Sequence, residues 1–248
     1  MNNQSEHKNI LVTGASKGIG KSIAKVLAEC GYSVFICARN RENLEKAAQE
    51  IGAKDFFCTD LTTADAVEKL INDINSKYGG IDILVNNAGM YVYSPVEKTE
   101  DADIDSLIRL NIEVPYKFIR GVVPYMKSKK WGRIVNIGSI SGVVGEANAS
   151  LYSLTKSALT GFSKSLALEL ALDGITVNTI NPGWVDTELA QEAVNDSDFS
   201  FQEEIEMIPQ RRFISPDEIA NLVKYLVSED AKGLTGQSVS LCAGLSAG

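Results

Sequence analysis

Short apolar runs and helical-period segments alternate along most of the chain. The runs are Ile10–Val12, Ser33–Ala38, Phe56–Cys58, Ile81–Val85, Arg133–Ile137, Thr176–Ile180 and Ser238–Cys242. Buried parallel strands read this way, because helices cover both of their faces. Between them, Ile19, Ile23, Val26, Leu27 and Cys30 recur at helix spacing, as do Val67, Leu70, Ile71, Ile74 and Tyr78. The second set follows Thr63 and Asp65-Ala66, which predict a capped helix start. Strand–helix alternation predicts an α/β fold, a doubly wound parallel sheet of about seven strands with helices on both faces. With no repeat, low-complexity tract or linker, residues 1–248 read as one domain with a polar, flexible tail over 1–8. The stretch 184–213 breaks the rhythm: acidic, studded with Trp184, Phe199, Phe201, Met207 and Ile208, and too long for a tight connection. It predicts a substrate lid.

Composition narrows the function classes. Lys and Arg number 24 against 32 Asp and Glu, a net charge of −8. No basic stripe marks a nucleic-acid surface, and no run of about 18 apolar residues predicts a membrane span. A cytoplasmic protein is expected. Cys30, Cys37, Cys58 and Cys242 show no CxxC spacing, and three sit in apolar runs, so buried free thiols are expected. The one histidine, His7, is in the tail. That argues against a histidine base, and no metal site is expected.

The first strand runs into Thr13-Gly14-Ala15-Ser16-Lys17-Gly18-Ile19-Gly20, which opens the first helix. Glycines there permit a tight turn and close approach to a pyrophosphate, and the helix N-terminus offers free N–H groups to the anion. The GxxxGxG spacing differs from the GxGxxG dinucleotide fingerprint; a Gly-rich turn without ligand is the competing explanation. The second strand ends Cys37-Ala38-Arg39-Asn40, without the acid that bonds the ribose 2′-OH in NAD-binding versions. Arg39, with Lys17 in the loop, is placed to pair with a 2′-phosphate, so NADP(H) is the expected cofactor; ordinary surface charges are the alternative.

Tyr152 and Lys156 are four residues apart and share a helix face. A tyrosine is a poor base at neutral pH, and an adjacent ammonium lowers its pKa, so the pair suits acid–base work. Alone, such a pair is common by chance. The wider set is specific: Thr13 to Gly20, Asp60-Leu61, Asn86-Asn87-Ala88-Gly89, Asn111, Ser139, Tyr152 with Lys156, and Asn181-Pro182-Gly183 with Thr187. In order and spacing these resemble the short-chain dehydrogenase/reductases over nearly the whole chain, in particular the 3-oxoacyl reductase-like members, which have a Rossmann fold. The resemblance implies that Tyr152 is the general acid in carbonyl reduction, Ser139 hydrogen-bonds the substrate oxygen, and Lys156 binds the nicotinamide ribose and depresses the tyrosine pKa. It implies that Asn111 holds a water linking Lys156 to solvent. Gly14, Ser16, Lys17, Gly18, Ile19, Gly20, Arg39, Asp60, Leu61, Asn87, Ala88, Gly89, Tyr152, Lys156, Pro182, Gly183, Val185 and Thr187 would hold the cofactor. Asp60 would meet the adenine, and Val185 and Thr187 the carboxamide. Turn, packing or backbone-satisfying roles are the alternatives for Ser139, Asn111 and Asn86.

A ketone-to-alcohol reduction, possible in both directions, is therefore expected on a small-molecule carbonyl or alcohol substrate, a 3-oxoacyl or polyketide-like group among the options. The segment Arg212 to Ala220 and the basic run Lys127, Lys129, Lys130, Arg133 are similar to 3-oxoacyl reductases. Asp173, where carrier-dependent members tend to place a basic residue, and Leu241 to Leu245, which lacks their Gly-Gly, depart from them. An NAD-linked alcohol dehydrogenase and a non-catalytic dinucleotide-binding protein are the competing readings. The resemblance also implies a homotetramer or dimer, with helices around 101–129 and 150–173 as interface candidates.

Overall fold

Seven strands line up in register as one parallel sheet in the computed structural model, which describes residues 8–188, 190 and 201–247. They are β1 (Asn9–Thr13), β2 (Ser33–Ala38), β3 (Asp55–Cys58), β4 (Ile83–Asn86), β5 (Gly132–Ile137), β6 (Ile175–Pro182) and β7 (Ser238–Leu241), in the spatial order β3-β2-β1-β4-β5-β6-β7. Each apolar run of the sequence falls on one of them. Central β5 and β6 are buried along their whole length, whereas edge strand β7 alternates exposed and half-buried positions. The order reverses between β1 and β4, and ligands of open α/β sheets bind at the carboxyl ends of strands beside such a reversal.

Alternation along β1 assigns the two faces. Ile10 and Val12 join one apolar cluster with Ile23 and Leu27 of α1 (Gly18–Glu29) and Leu44 of α2 (Arg41–Ile51). Leu11 points the other way, into a cluster with Leu70 and Ile74 of α3 (Ala66–Tyr78) and Phe118 and Val122 of α5 (Val114–Lys129). The two faces of a pleated strand therefore serve two helical layers. Before α5, α4 (Asp101–Ile108) passes through a π-helical turn, Arg109–Glu113, in which the Val114 N–H donates to the Arg109 carbonyl. Pro115 follows directly and has no N–H to offer the carbonyls before it, so the ladder widens there. The widened turn carries Asn111, 1% exposed.

Several expectations need correction. Asp65 precedes α3 with φ +59° and no side-chain cap bond, while the Thr63 hydroxyl donates to the Asp60 carbonyl at 2.8 Å; α3 starts without the expected cap. Cys30 is exposed at the end of α1, although Cys37 and Cys242 are buried as expected and all four thiols are free. In the proposed lid, Ile208 is 1% exposed and belongs to the core, Met207 is 52% exposed, and Trp184 stacks on Phe213 with centroids 5.7 Å apart. The base of the stretch is laddered to Ile214: the Asp186 N–H donates to its carbonyl at 2.9 Å, and its own N–H donates to the Trp184 carbonyl at 2.7 Å. Residues 189 and 191–200, including Phe199, the side chain of Phe201 and the tail with His7 lie outside the described residues. Among the described residues, no helix is long and apolar enough to cross a membrane.

The short α6 (Ser141–Val144) presses on α7 (Ser150–Leu170), the helix of Tyr152 and Lys156. At the contact, a Cβ on Gly142 would stand 2.7 Å from the Lys156 carbonyl carbon and 2.8 Å from the Ser157 nitrogen. Both are backbone atoms and cannot swing away. Gly142→Ala should therefore push α6 off α7 and cost about 1–3 kcal/mol, with a matching loss of any activity that needs Ser139 beside Tyr152. Urea unfolding measures this; an unchanged midpoint would show that the two helices do not meet so closely.

Candidate active site

At the carboxyl end of β1 the chain turns sharply. Gly14 has φ +66° and Gly18 φ +55°, in a region that disfavours side chains with a Cβ. The Gly14 and Ala15 N–H groups donate to the Cys37 carbonyl at 2.9 and 3.3 Å, fixing the turn to β2. Helix α1 then begins behind Lys17 with no side-chain cap bond, so its first N–H groups open into the turn with a positive dipole end behind them. Ser16 and Ile19 are half-buried along this rim. These features fit a dinucleotide pyrophosphate. Gly20 has another reason: its Cβ would collide with the Asn87 side chain and with the Gly14 carbonyl.

Asn87, Ala88 and Gly89 leave β4 directly opposite. The Thr13 hydroxyl accepts the Asn87 and Ala88 N–H groups at 3.0 and 2.9 Å, and the Asn87 amide donates to the Thr13 and Gly14 carbonyls at 2.9 and 3.1 Å. One threonine thus clamps the two turns on either side of the strand reversal. Thr13 is a residue whose role the motif alone did not reveal. At the end of β6, the Pro182 carbonyl accepts from the Ile140 N–H at 2.8 Å and the Gly183 N–H donates to the Leu241 carbonyl at 2.9 Å. Val185 is buried, and Thr187 lies 3.4 Å from where a Gly18 Cβ would be. The expected cofactor segments therefore ring one edge of the sheet.

The two cations expected at a 2′-phosphate differ. Arg39 is exposed beyond β2, and its charge helps hold the Asp60 carboxyl below the usual range, after the two hydrogen bonds from Thr62. Leu61 beside it is buried. Lys17 is exposed too, but pairs with Glu188 at 2.8 Å.

Ser139, Tyr152 and Lys156 converge beyond the ends of β5 and β6. Lys156 is 6% exposed, and its Nζ donates to the Ile137 carbonyl at 2.9 Å. Burial in this dry site disfavours the ammonium and lowers it to about 8. Tyr152 goes the other way, to about 12: burial dominates, the Ser139 hydroxyl bond pulls it down, and the negative charge of Glu146 pushes it up. The expectation that Lys156 depresses the tyrosine pKa is not met here; the ammonium sits 5.6 Å from the ring centroid and bonds elsewhere. Asn111 binds the chain after β4, accepting the Met90 N–H and donating to the Met90 carbonyl, both at 3.0 Å, and donating to the Thr155 hydroxyl on α7 at 3.1 Å. A Cβ on Gly89 would lie 3.2 Å from its Oδ1 and 3.5 Å from the Lys156 Nζ. Asn111, Gly89 and Lys156 thus share one corner. Asn86 ties strand to strand instead, donating to Asn136 at 2.8 Å; Asn136 in turn bonds Ser163 of α7 at 2.9 Å.

Tyr91, Ser141, Glu146 and Glu204 also crowd this corner, and none was singled out as a site residue from sequence. Tyr91 meets the Tyr152 ring edge-on at 4.9 Å. The one charged side chain between Ser139 and Tyr152 is Glu146, a signal that was available.

Comparisons with known proteins agree with this geometry. A family model described as short chain dehydrogenase matches residues 8–198. The chain is 38% identical to an uncharacterized oxidoreductase, YxjF, of Bacillus subtilis, over 96% of this chain and 97% of that protein. It is 37% identical to the 3-oxoacyl-[acyl-carrier-protein] reductase FabG of Staphylococcus aureus, over 96% and 98%. Among solved structures, the 3-ketoacyl-(acyl-carrier-protein) reductase of Brucella melitensis, complexed with NADH, superposes with a TM-score of 0.90 at 30% identity, covering 97% of this chain and 99% of that one. Sequence and backbone agree over nearly the full length, and the chain belongs to the short-chain dehydrogenase family.

Proposed function

We propose that this chain reduces a ketone to a secondary alcohol with NADPH, reversibly. The observation that carries the reading is the meeting of three side chains: half-buried Tyr152, Ser139 close enough to bond its phenol, and buried Lys156 held on the Ile137 carbonyl one helical turn on. NADPH would supply the hydride. Ser139, whose hydroxyl hydrogen rests on Ser141 Oγ in the free chain, would turn that hydrogen to the substrate oxygen and orient it, and Tyr152 would pass its phenolic proton to that oxygen as negative charge develops. A phenol held near 12 keeps that proton throughout the neutral range. Lys156 would bind the nicotinamide ribose, and Asn111 would hold a water beside Lys156 for re-protonation. The α1 amino end would take the pyrophosphate, Asp60 the adenine, and Val185 and Thr187 the carboxamide.

The surface supports a substrate that is not delivered by a carrier protein. Of the basic run, Arg133 is 2% exposed and bonded to Glu229, and Lys127 and Lys130 are both tied to Asp173. Lys129 lies over the Tyr125 ring and is the one member of the run outside these ion pairs, so little of the run's positive charge is left to dock an acidic carrier. A homo-oligomer paired through α5 and α7 fits Tyr116, Leu154 and Leu168, each more than half exposed, with Leu172 just beyond at 96%.

A second reading, use of NADH, is favoured by the ion pair that already engages Lys17. The Brucella relative was solved with NADH. Arg39 decides between them: a charge-assisted bond to the 2′-phosphate contributes about 1.5–3 kcal/mol, so Arg39→Asp should weaken NADPH binding at least tenfold and narrow its advantage over NADH. Equal turnover with both cofactors in the unmodified protein would overturn the NADP assignment.

Tyr152→Phe removes one hydroxyl and keeps the ring, so NADPH binding should survive while turnover falls about a hundred- to ten-thousand-fold. Ser139→Ala should also spare cofactor binding and lose turnover; Lys156→Met should lose both. NADPH affinity measured beside turnover on a ketone panel separates these patterns. A Tyr152→Phe protein that reduces ketones at the unmodified rate sinks the mechanism.

A further inference from the structure

Glu146 is half-buried on the turn between α6 and α7, and both of its oxygens are used. Oε2 accepts the Ser141 hydroxyl at 2.5 Å, and Oε1 accepts the Tyr91 hydroxyl at 2.6 Å. Each bond leads to a reacting group. Ser141 Oγ accepts from the Ser139 hydroxyl at 3.1 Å, and the Ser141 N–H donates back to Ser139 Oγ at 3.2 Å. The Tyr91 ring stands edge-on to Tyr152, centroids 4.9 Å apart at 79°.

A carboxylate only accepts hydrogen bonds. It therefore fixes the direction of both hydroxyl hydrogens, leaving a lone pair of Ser141 free to receive Ser139. An amide would not do the same, because one of its two ends is a donor and would force a hydroxyl to turn round. Such charge-assisted bonds are also the short, strong ones. The charge acts at a distance as well: alongside burial, and against the Ser139 bond, it pushes the Tyr152 phenol up. The other groups around the phenol are accounted for. Lys156, on the same helix, bonds the Ile137 carbonyl; Tyr93, on the segment after β4, accepts from the Asn148 amide at 2.8 Å. Glu204, 7% exposed on the helix Phe201–Met207, is pushed up by burial and by Glu146, and takes a hydrogen bond from Trp184. Of the two neighbouring carboxyls, Glu146 has the two hydroxyl donors.

We propose that Glu146 is a positioning residue of the reduction: its carboxylate fixes Ser139 through Ser141 and steadies the Tyr152 ring through Tyr91. This rests on the reading of Tyr152 as the acid.

The test is the pH dependence of ketone reduction and alcohol oxidation in Glu146→Gln and Glu146→Asp, with Tyr152→Phe alongside and NADPH binding as the check on folding. Glu146→Gln keeps the shape and removes the charge. Its kcat for reduction should fall about tenfold, with KM for NADPH unchanged. Both the falling limb of reduction and the rising limb of oxidation should move to lower pH by about one unit. Glu146→Asp keeps the charge but is one methylene short, so it should lose kcat while the limbs stay in place. A merely structural role would lower activity without moving either limb. Glu146→Gln with unmodified kcat and limbs overturns the inference. If that variant fails to fold, Ser141→Ala and Tyr91→Phe cut the same links from either side; each should lower kcat severalfold, and unmodified rates in both overturn it equally. Should Tyr152→Phe remain active, the parent reading falls; should it be inactive while Glu146→Gln behaves as the unmodified protein, only the role of Glu146 falls.

Discussion

The carboxamide of Asn111 holds the site together. It binds both backbone groups of Met90 and the Thr155 hydroxyl, joining the chain after β4 to α7, the helix of Tyr152 and Lys156. It can do so only because the helix around it widens into a π turn ahead of Pro115 and swings the side chain inward. At 1% exposure it has no water to fall back on. Its loss would strand buried donors and acceptors at about 1–3 kcal/mol each. Lys156 lies on the turn following Tyr152, and Gly89 beside Lys156, so the placement of both depends on this anchor.

A second constraint is desolvation, which moves the two ionisable partners in opposite directions. It lifts the phenol of Tyr152 to about 12 and lowers the Lys156 ammonium to about 8. A pair prepared this way keeps Tyr152 in its protonated form at neutral pH, the form a proton donor must start from. Buried side chains of the sheet support the same geometry from below. Asn86, Asn136, Ser163 and Thr179 form a buried hydrogen-bonded row from β4 through β5 and α7 to β6, so α7 is fastened to the sheet along its length as well as at the active end.

Much of the fold was legible because its strands are buried on both faces. Runs such as Ser33–Ala38 and Arg133–Ile137 can be read without knowing their neighbours, and they fall on β2 and β5. The spacing of Tyr152 and Lys156 was equally plain on one helix. What escaped depends on contacts distant in sequence. The Thr13 clamp on Asn87 joins residues 74 positions apart. The burial of Ile208 in the core and the pairing of Lys17 with Glu188 over 171 positions leave no local trace. The left-handed Asp65 misled because a good capping residue was taken by a turn that needed positive φ. Glu146 was visible as a lone charge between Ser139 and Tyr152, but its meaning rests on Tyr91, 55 positions away.

The central claim is that these residues collaborate in hydride transfer to a ketone carbon. Incubation with NADPH deuterated on the transferring face of the nicotinamide, followed by mass spectrometry of the products of a ketone panel, tests it most directly. The account predicts a secondary alcohol with deuterium on its carbinol carbon. Tight NADPH binding with no deuterated alcohol from any ketone, under conditions where a related reductase labels its own substrate, would contradict it.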